Sequence, residues 1–214
     1  MIYYIALSTL ILSFLASLLS FRLDYPLHLK VFSLLLGCMV VDELGALYLV
    51  KTFHISNLGW YNVFMGIEAW AYALYYSLIL QNRRVKLIIR RFLFLFPIFW
   101  FIVVFKVFGI ANWNSYLAVT GSLFTICLSI AYYYQLFTAS DLIKLTESSE
   151  FWIATGLILC YSCSLPYTGM MNFLNKNFPV LSSQLLTMLQ ILNILMYSLF
   201  TYAFICKTLI KRSS

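Results

Sequence analysis

Seven hydrophobic stretches, each about as long as a bilayer is thick, occupy almost the whole of this 214-residue chain. They run over residues 2–21, 31–50, 59–80, 92–110, 115–137, 151–174 and 180–206, each close to the roughly 20 residues a helix needs to cross the hydrocarbon. The expectation is an all-α fold, a seven-transmembrane bundle with residues 1–214 as one domain. The connections are short, the longest running over 138–150, and with 63% of residues hydrophobic little material is left for a soluble domain.

Orientation follows from the basic residues. Taken by alternate connections, eleven of the fourteen Lys and Arg fall on one side: Arg22, Lys30, Arg83, Arg84, Lys86, Arg90, Arg91, Lys144 and the tail trio Lys207, Lys211 and Arg212. Lys51, Lys106 and Lys176 fall on the other. The positive-inside rule then predicts a cytoplasmic C-terminus and an external N-terminus, as expected for a bacterial inner-membrane protein. A net charge of +7 could suggest nucleic acid, but these residues sit at span ends. There Arg83, Arg84, Lys86, Arg90 and Arg91 are expected to meet anionic lipid headgroups, or a cytoplasmic signalling partner. The first stretch has no basic segment before it and is longer than the apolar part of a signal peptide, so it reads as a permanent helix. Tyr3, Tyr4, Trp60, Trp113 and Trp152 lie near span ends and suit an interfacial belt.

Of the seven acidic residues, Asp24, Asp141, Glu147 and Glu150 fall in connections, whereas Asp42, Glu43 and Glu68 fall well inside spans two and three. Counting back from Lys51 and forward from Gly59 at 1.5 Å per residue puts Glu43 and Glu68 at one depth, roughly 12 to 14 Å below the outer surface. A charge there costs at least roughly 2.5 to 3.5 kcal/mol on insertion scales, so such residues usually face the bundle interior and mark a path or pocket. No Lys or Arg lies at that depth; Lys106, near the end of span four, can snorkel to the interface. The three carboxyls must hold protons or await a cation, and as neighbours they titrate together. Asp42 and Glu43 point about 100° apart. Asp42 shares a small-residue stripe with Cys38 and Ala46, which leaves Glu43 as the freer acid. Around Glu68, Tyr72 and Tyr75 are expected to serve the carboxyl, with Tyr61 nearby. Protonated acids that merely bond helices together would leave the same sequence pattern.

Polar stripes on later spans are expected to face these acids: Ser122, Thr125, Ser129 and Tyr132 on span five, and Ser183, Thr187, Gln190, Tyr197 and Thr201 on span seven with Asn193 close by. On span six Gly156, Cys160, Cys163 and Tyr167 align, and Pro166 is expected to kink the helix and free carbonyls. The candidate ligand- or proton-binding set is therefore Asp42, Glu43, Glu68, Tyr72, Tyr75, Gln190, Asn193 and Tyr197.

The residues present exclude several chemistries. His28 and His54, the only histidines, stand at opposite ends of span two and cannot ligate one metal, so no zinc hydrolase and no metal site is expected. A retinal Schiff base needs a lysine in mid-span, and Lys207 lies at a span end. No phosphate-binding loop or nucleophile motif is present, so no cofactor and no catalytic residue is assigned. The five cysteines all lie in spans, and the Cys160–Cys163 pair reads as packing rather than redox chemistry. Two three-helix repeats joined by span four, the arrangement of small sugar and vitamin transporters, fit the span count, but no internal motif repeat is visible.

Three segments, YNVFMGIEAWAYALYYSLIL around Glu68, SSEFWIATGLILCYS opening span six and LQILNILMYSLFTYAF in span seven, resemble a family of small seven-span membrane proteins of Bacteroidota-type bacteria with no assigned activity. The resemblance implies Tyr61, Asn62, Glu68, Phe151, Trp152, Gly156, Asn193 and Tyr197 as the shared positions. The span plan is also similar to the seven-span input domains of bacterial sensor kinases. The expected function is a non-catalytic ligand-binding or sensory membrane protein, with a small-solute transporter coupled to protons through the acids as the alternative and a lipid-modifying enzyme third.

Overall fold

A computed structural model describes residues 2–22, 25–109, 112–138 and 145–213, with the backbone alone for 108 and 207–213. Asp24, Asp141 and Lys144 lie outside the described residues, as do the side chains of Lys207, Lys211 and Arg212. Every predicted span is helical, and no strand occurs among the described residues. Helix α1 (Ile2–Ser17) is extended by a short turn, Leu19–Arg22. Helix α2 (Leu27–Tyr48) starts from Pro26, whose fixed φ suits a helix entry. It widens into a π-helical turn over Leu49–Phe53 and stops where His54 takes a left-handed conformation with φ 54°. Helices α3 (Leu58–Ile79), α4 (Arg83–Ile102), α5 (Ser115–Thr138), α6 (Ser149–Asn177) and α7 (Pro179–Ser213) follow. The predicted boundaries hold to a few residues, except that α4 begins well before residue 92.

That early start has a local cause. The Asn82 side chain accepts from the backbone N–H of Arg84 and Val85, capping the first turn, so the whole basic cluster rides on the helix. Ser148 caps α6 in the same way through Phe151 N–H. Pro166 does not break α6, which runs through it.

Six helices close into a ring in the order α1, α2, α3, α5, α6, α7 and back to α1, with α4 outside it against α3. Small residues set these approaches. Ser17 and Ser33 hydroxyls meet at 2.7 Å between α1 and α2, and Gly37 faces the Phe14 ring. Trp100 of α4 lies where a side chain on Gly66 would stand, 2.4 Å from its ideal Cβ, and its indole N–H donates to Asn62 O. Trp60 packs on Gly45 likewise. Five helical segments are long and apolar enough to cross a membrane: Ile2–Arg22, Leu27–Phe53, Arg83–Val107, Ser115–Thr138 and Pro179–Cys206. Helices α3 and α6, of 22 and 29 residues, are long enough but less apolar.

Candidate functional site

The less apolar pair, α3 and α6, meet across the inside of the ring. Tyr161 of α6 donates to Glu68 Oε1 at 2.7 Å, and Tyr72, one turn along α3 from Glu68, donates to the same oxygen at 3.0 Å. Around this contact lies a cavity of about 210 Å³ lined by α2, α3, α5, α6 and α7. It exists because α5 and α6 present short side chains at this level, Ala118, Gly121, Ser122 and Thr125 on one and Cys160 and Ser164 on the other. Thr125, Ser164 and Thr168 return their hydroxyls to carbonyls of their own helices, which satisfies them without filling the space.

Asp42, Glu43 and Glu68 all line this cavity. Glu43 accepts on Oε2 from Tyr3 at 3.0 Å and Tyr61 at 3.2 Å. Glu43 is therefore held, and the expectation that it is the freer acid is reversed. Asp42 is the less satisfied one: its Oδ1 is buried without a hydrogen bond among the described residues. Both reach one space despite their 100° divergence because the cavity wraps the inward flank of α2.

Of the eight predicted site residues, Asp42, Glu43, Glu68, Tyr72, Asn193 and Tyr197 line the cavity. Tyr75 does not. Seven residues beyond Glu68 on α3, it lies roughly 10 Å further along the axis, fully buried against Phe32 and near His28. Gln190 also stands elsewhere, in a shallow groove with Ile2, Tyr3 and Thr187. The span-seven stripe is a partial failure for the same reason: Ser183 and Thr187 are exposed, and Thr187 bonds back to Ser183 O. The span-five stripe does face inward, all four residues being buried.

Tyr161 was missed because it stands one position off the Cys160 stripe, and a tyrosine among apolar residues has no distinctive spacing. By its place near a span end, Trp113 reads as part of an interfacial belt. It lines the cavity instead, donating to Thr168 O at 2.9 Å while its own carbonyl accepts from Asn172. Tyr3 and Trp60 likewise point into the protein, Trp60 donating to Asp42 O. The loop carrying Trp113 is fixed by Asn62, which accepts from Asn114 N–H and donates to Asn112 O.

No Lys, Arg or His lines the cavity, and no three His, Cys, Asp or Glu side chains converge to hold a metal ion among the described residues. Cys160 and Cys163 are both free, the first buried with its thiol on Asn193 Oδ1 and the second exposed. Beyond the cavity the ring is filled by Phe32, Tyr75, Tyr76, Phe200 and Phe204, none with more than 0% exposure. At that end His28 Nε2 and Glu150 Oε1 lie 2.6 Å apart. Tyr25, outside the helices, donates to Phe204 O, and burial, with the Cys206 thiol second, pushes its phenol above the ordinary value.

Comparison with protein-family profiles, with curated proteins and with solved structures returns no match for this chain.

Proposed function

We propose that the chain is a seven-span integral membrane protein of a bacterial inner membrane, with its basic end in the cytoplasm, that binds a small solute in this cavity without transforming it. The observation that carries the reading is the cavity itself: about 210 Å³ within a helical ring, with the carboxyls of Asp42, Glu43 and Glu68, the Asn193 amide and the hydroxyls of Tyr197 and Ser122 set among aromatic and apolar side chains. An engineered apolar cavity of about 150 Å³ is large enough for benzene, so a solute of one ring and a substituent has room. The aromatic filling beyond it favours binding and signalling over passage. Arg83, Arg84, Lys86, Arg90 and Arg91, all exposed on α4, supply a surface for anionic headgroups or for a signalling partner.

One observation favours transport as a second reading. Helices α1–α3 and α5–α7 close the ring while α4 stands outside, the layout of two three-helix units and a linker.

Thermal-shift screening of small solutes on the purified protein in lipid nanodiscs tests the binding reading. At least one solute is expected to raise the melting temperature of the wild type and not of Ser122→Trp, whose indole occupies the cavity. Failure of every solute, or an equal shift in both proteins, rejects a binding cavity. Uptake into proteoliposomes along a pH gradient separates the transport reading. For topology, a reporter after Ser214 should be active only in the cytoplasm. A thiol for external labelling belongs at exposed Asn112 and not at Asn114, which is 1% exposed.

A further inference from the structure

The hydrogen-bond inventory of the cavity is unbalanced. Each of the two glutamates takes both of its phenols on one oxygen, so Glu68 Oε2 and Glu43 Oε1 have no hydrogen bond among the described residues, and Asp42 Oδ1 is buried with none. A second, independent feature points into the same space. Tyr197 is 6% exposed, lines the cavity and leaves its hydroxyl without a partner among the described residues. Spare neutral donors stand there too, on Tyr197, Ser122 and the Asn193 amide, but among the described residues no basic side chain lines the cavity to balance the three carboxyls. The walls between them are aromatic, with Tyr61, Phe64, Tyr72, Trp113, Tyr161 and Tyr197 surrounding the acids. Such faces attract a cation within about 6 Å of the ring centre. Among the described residues the acids do not converge as a metal site would. They are spread around an apolar-walled space, which suits a ligand that carries its own N–H donors on a carbon framework.

Resting on the binding reading above, we infer that the cavity takes a compact organic ammonium ion of about one ring, its nitrogen among Asp42, Glu68 and Glu43 and its carbon body against the aromatic walls. Asp42 is the principal anchor, because its orphan oxygen gains most from a new donor. Glu68 and Glu43 already hold two phenols each and contribute charge more than a new hydrogen bond.

The test is isothermal titration of the full chain in nanodiscs with benzylammonium and with benzyl alcohol, a neutral molecule of nearly the same shape. Benzylammonium should bind saturably with one site and at least tenfold more tightly than the alcohol. Asp42→Asn should weaken benzylammonium at least tenfold and leave the alcohol within threefold, and Glu68→Gln should weaken it less. Both variants are isosteric, and an unchanged melting profile shows that they fold. Equal affinity for the two probes, or undiminished benzylammonium binding by folded Asp42→Asn and Glu68→Gln, overturns the inference. Failure of both probes also overturns it. The binding reading stands or falls separately: a neutral solute that binds the wild type and not Ser122→Trp preserves a cavity for another ligand class.

Discussion

The two halves of the bundle use the same residue type for opposite purposes. In the cavity half, Tyr72 and Tyr161 direct their hydroxyls to one carboxylate oxygen and leave open space beside them. In the filled half, Tyr75 and Tyr76 lie at 0% exposure among Phe32, Phe200 and Phe204, their rings acting as volume. The difference arises from what stands opposite. Along α5 the inward face runs Ala118, Gly121, Ser122 and Thr125 beside the cavity, then Leu128, Ser129 and Tyr132 in the filled half. Along α6 it runs Ile153 and Leu157 in the filled half and Cys160 and Ser164 beside the cavity. Gly121 draws α5 against Ala69 of α3, as small residues do elsewhere in the ring, while Ala118, Ser122, Cys160 and Ser164 are too short to fill the space that the larger side chains of α2, α3 and α7 border.

The sharpest way to break this contrast is to remove volume from the filled half. Phe200 is fully buried and packs edge-on to Phe32 at 5.0 Å. In a membrane the transfer contribution is small, because lipid is as apolar as the core, so the cost of Phe200→Ala is the void. On the order of 100 Å³ at about 24 cal/mol per Å³ gives about 2 kcal/mol or somewhat more. Denaturation in mixed micelles should show that loss. A neutral result would mean that the filled half is loosely packed and the contrast is false. Next in size is Gly66→Ala. Its Cβ would stand 2.4 Å from the Trp100 ring, which is tied to Asn62 O, so α4 has to shift outward at about 1 to 3 kcal/mol. Because α4 lies outside the ring, solute binding of this variant, titrated in nanodiscs, should stay within a few-fold of the wild type.

How much of this was legible in the sequence depends on which physical signal carried it. Helix existence and length came from runs of apolar residues and survived. The acids were found because a carboxyl in such a run is costly wherever it points, and all three line the cavity. Direction was read less well. The Glu68 partner on α3 was legible as Tyr72, a local neighbour at four residues, whereas Tyr161 is 93 residues away and joins only through the ring order. Tyr75 was misplaced because its side chain type is right and only its depth is wrong. Gln190 and Thr187 were misplaced because a polar stripe on α7 can bond to its own backbone and face outward. Asp42 and Glu43 were ranked in the wrong order because Tyr3, which occupies Glu43, comes from α1.

A smaller effect distinguishes two adjacent residues of the filled half. Tyr76 meets the Ser129 hydroxyl at 2.7 Å, while the Tyr75 hydroxyl is buried without a partner among the described residues. Removing a satisfied hydroxyl costs about 1 kcal/mol, and removing an orphan one relieves a desolvation cost of similar size. Tyr76→Phe should therefore lower stability and Tyr75→Phe raise it, each by about 1 kcal/mol. If both variants lose stability equally, Tyr75 has a partner and the filled half is wetter than its packing shows.

The smallest expected change in stability belongs to Tyr197→Phe, and it bears most directly on the difference between the halves. Tyr197 lies on α7 one turn from Phe200, so the two residues share a helix but not a half: the Phe200 ring packs into the core, and Tyr197 faces the cavity. Its hydroxyl makes no hydrogen bond among the described residues, yet it can meet water or solute in the cavity, so it is not sealed as Tyr75 is. Deleting it removes no bond within the protein and leaves the ring in place, so stability should move by less than about 0.5 kcal/mol. Binding should respond where stability does not, since a hydroxyl used by a bound solute contributes about 1 kcal/mol, or several-fold in affinity. A variant unchanged in stability and weakened in binding places Tyr197 in the working half. A variant that loses stability by as much as Tyr76→Phe would show that its hydroxyl has a structural partner, and the boundary between the halves would then lie beyond Tyr197.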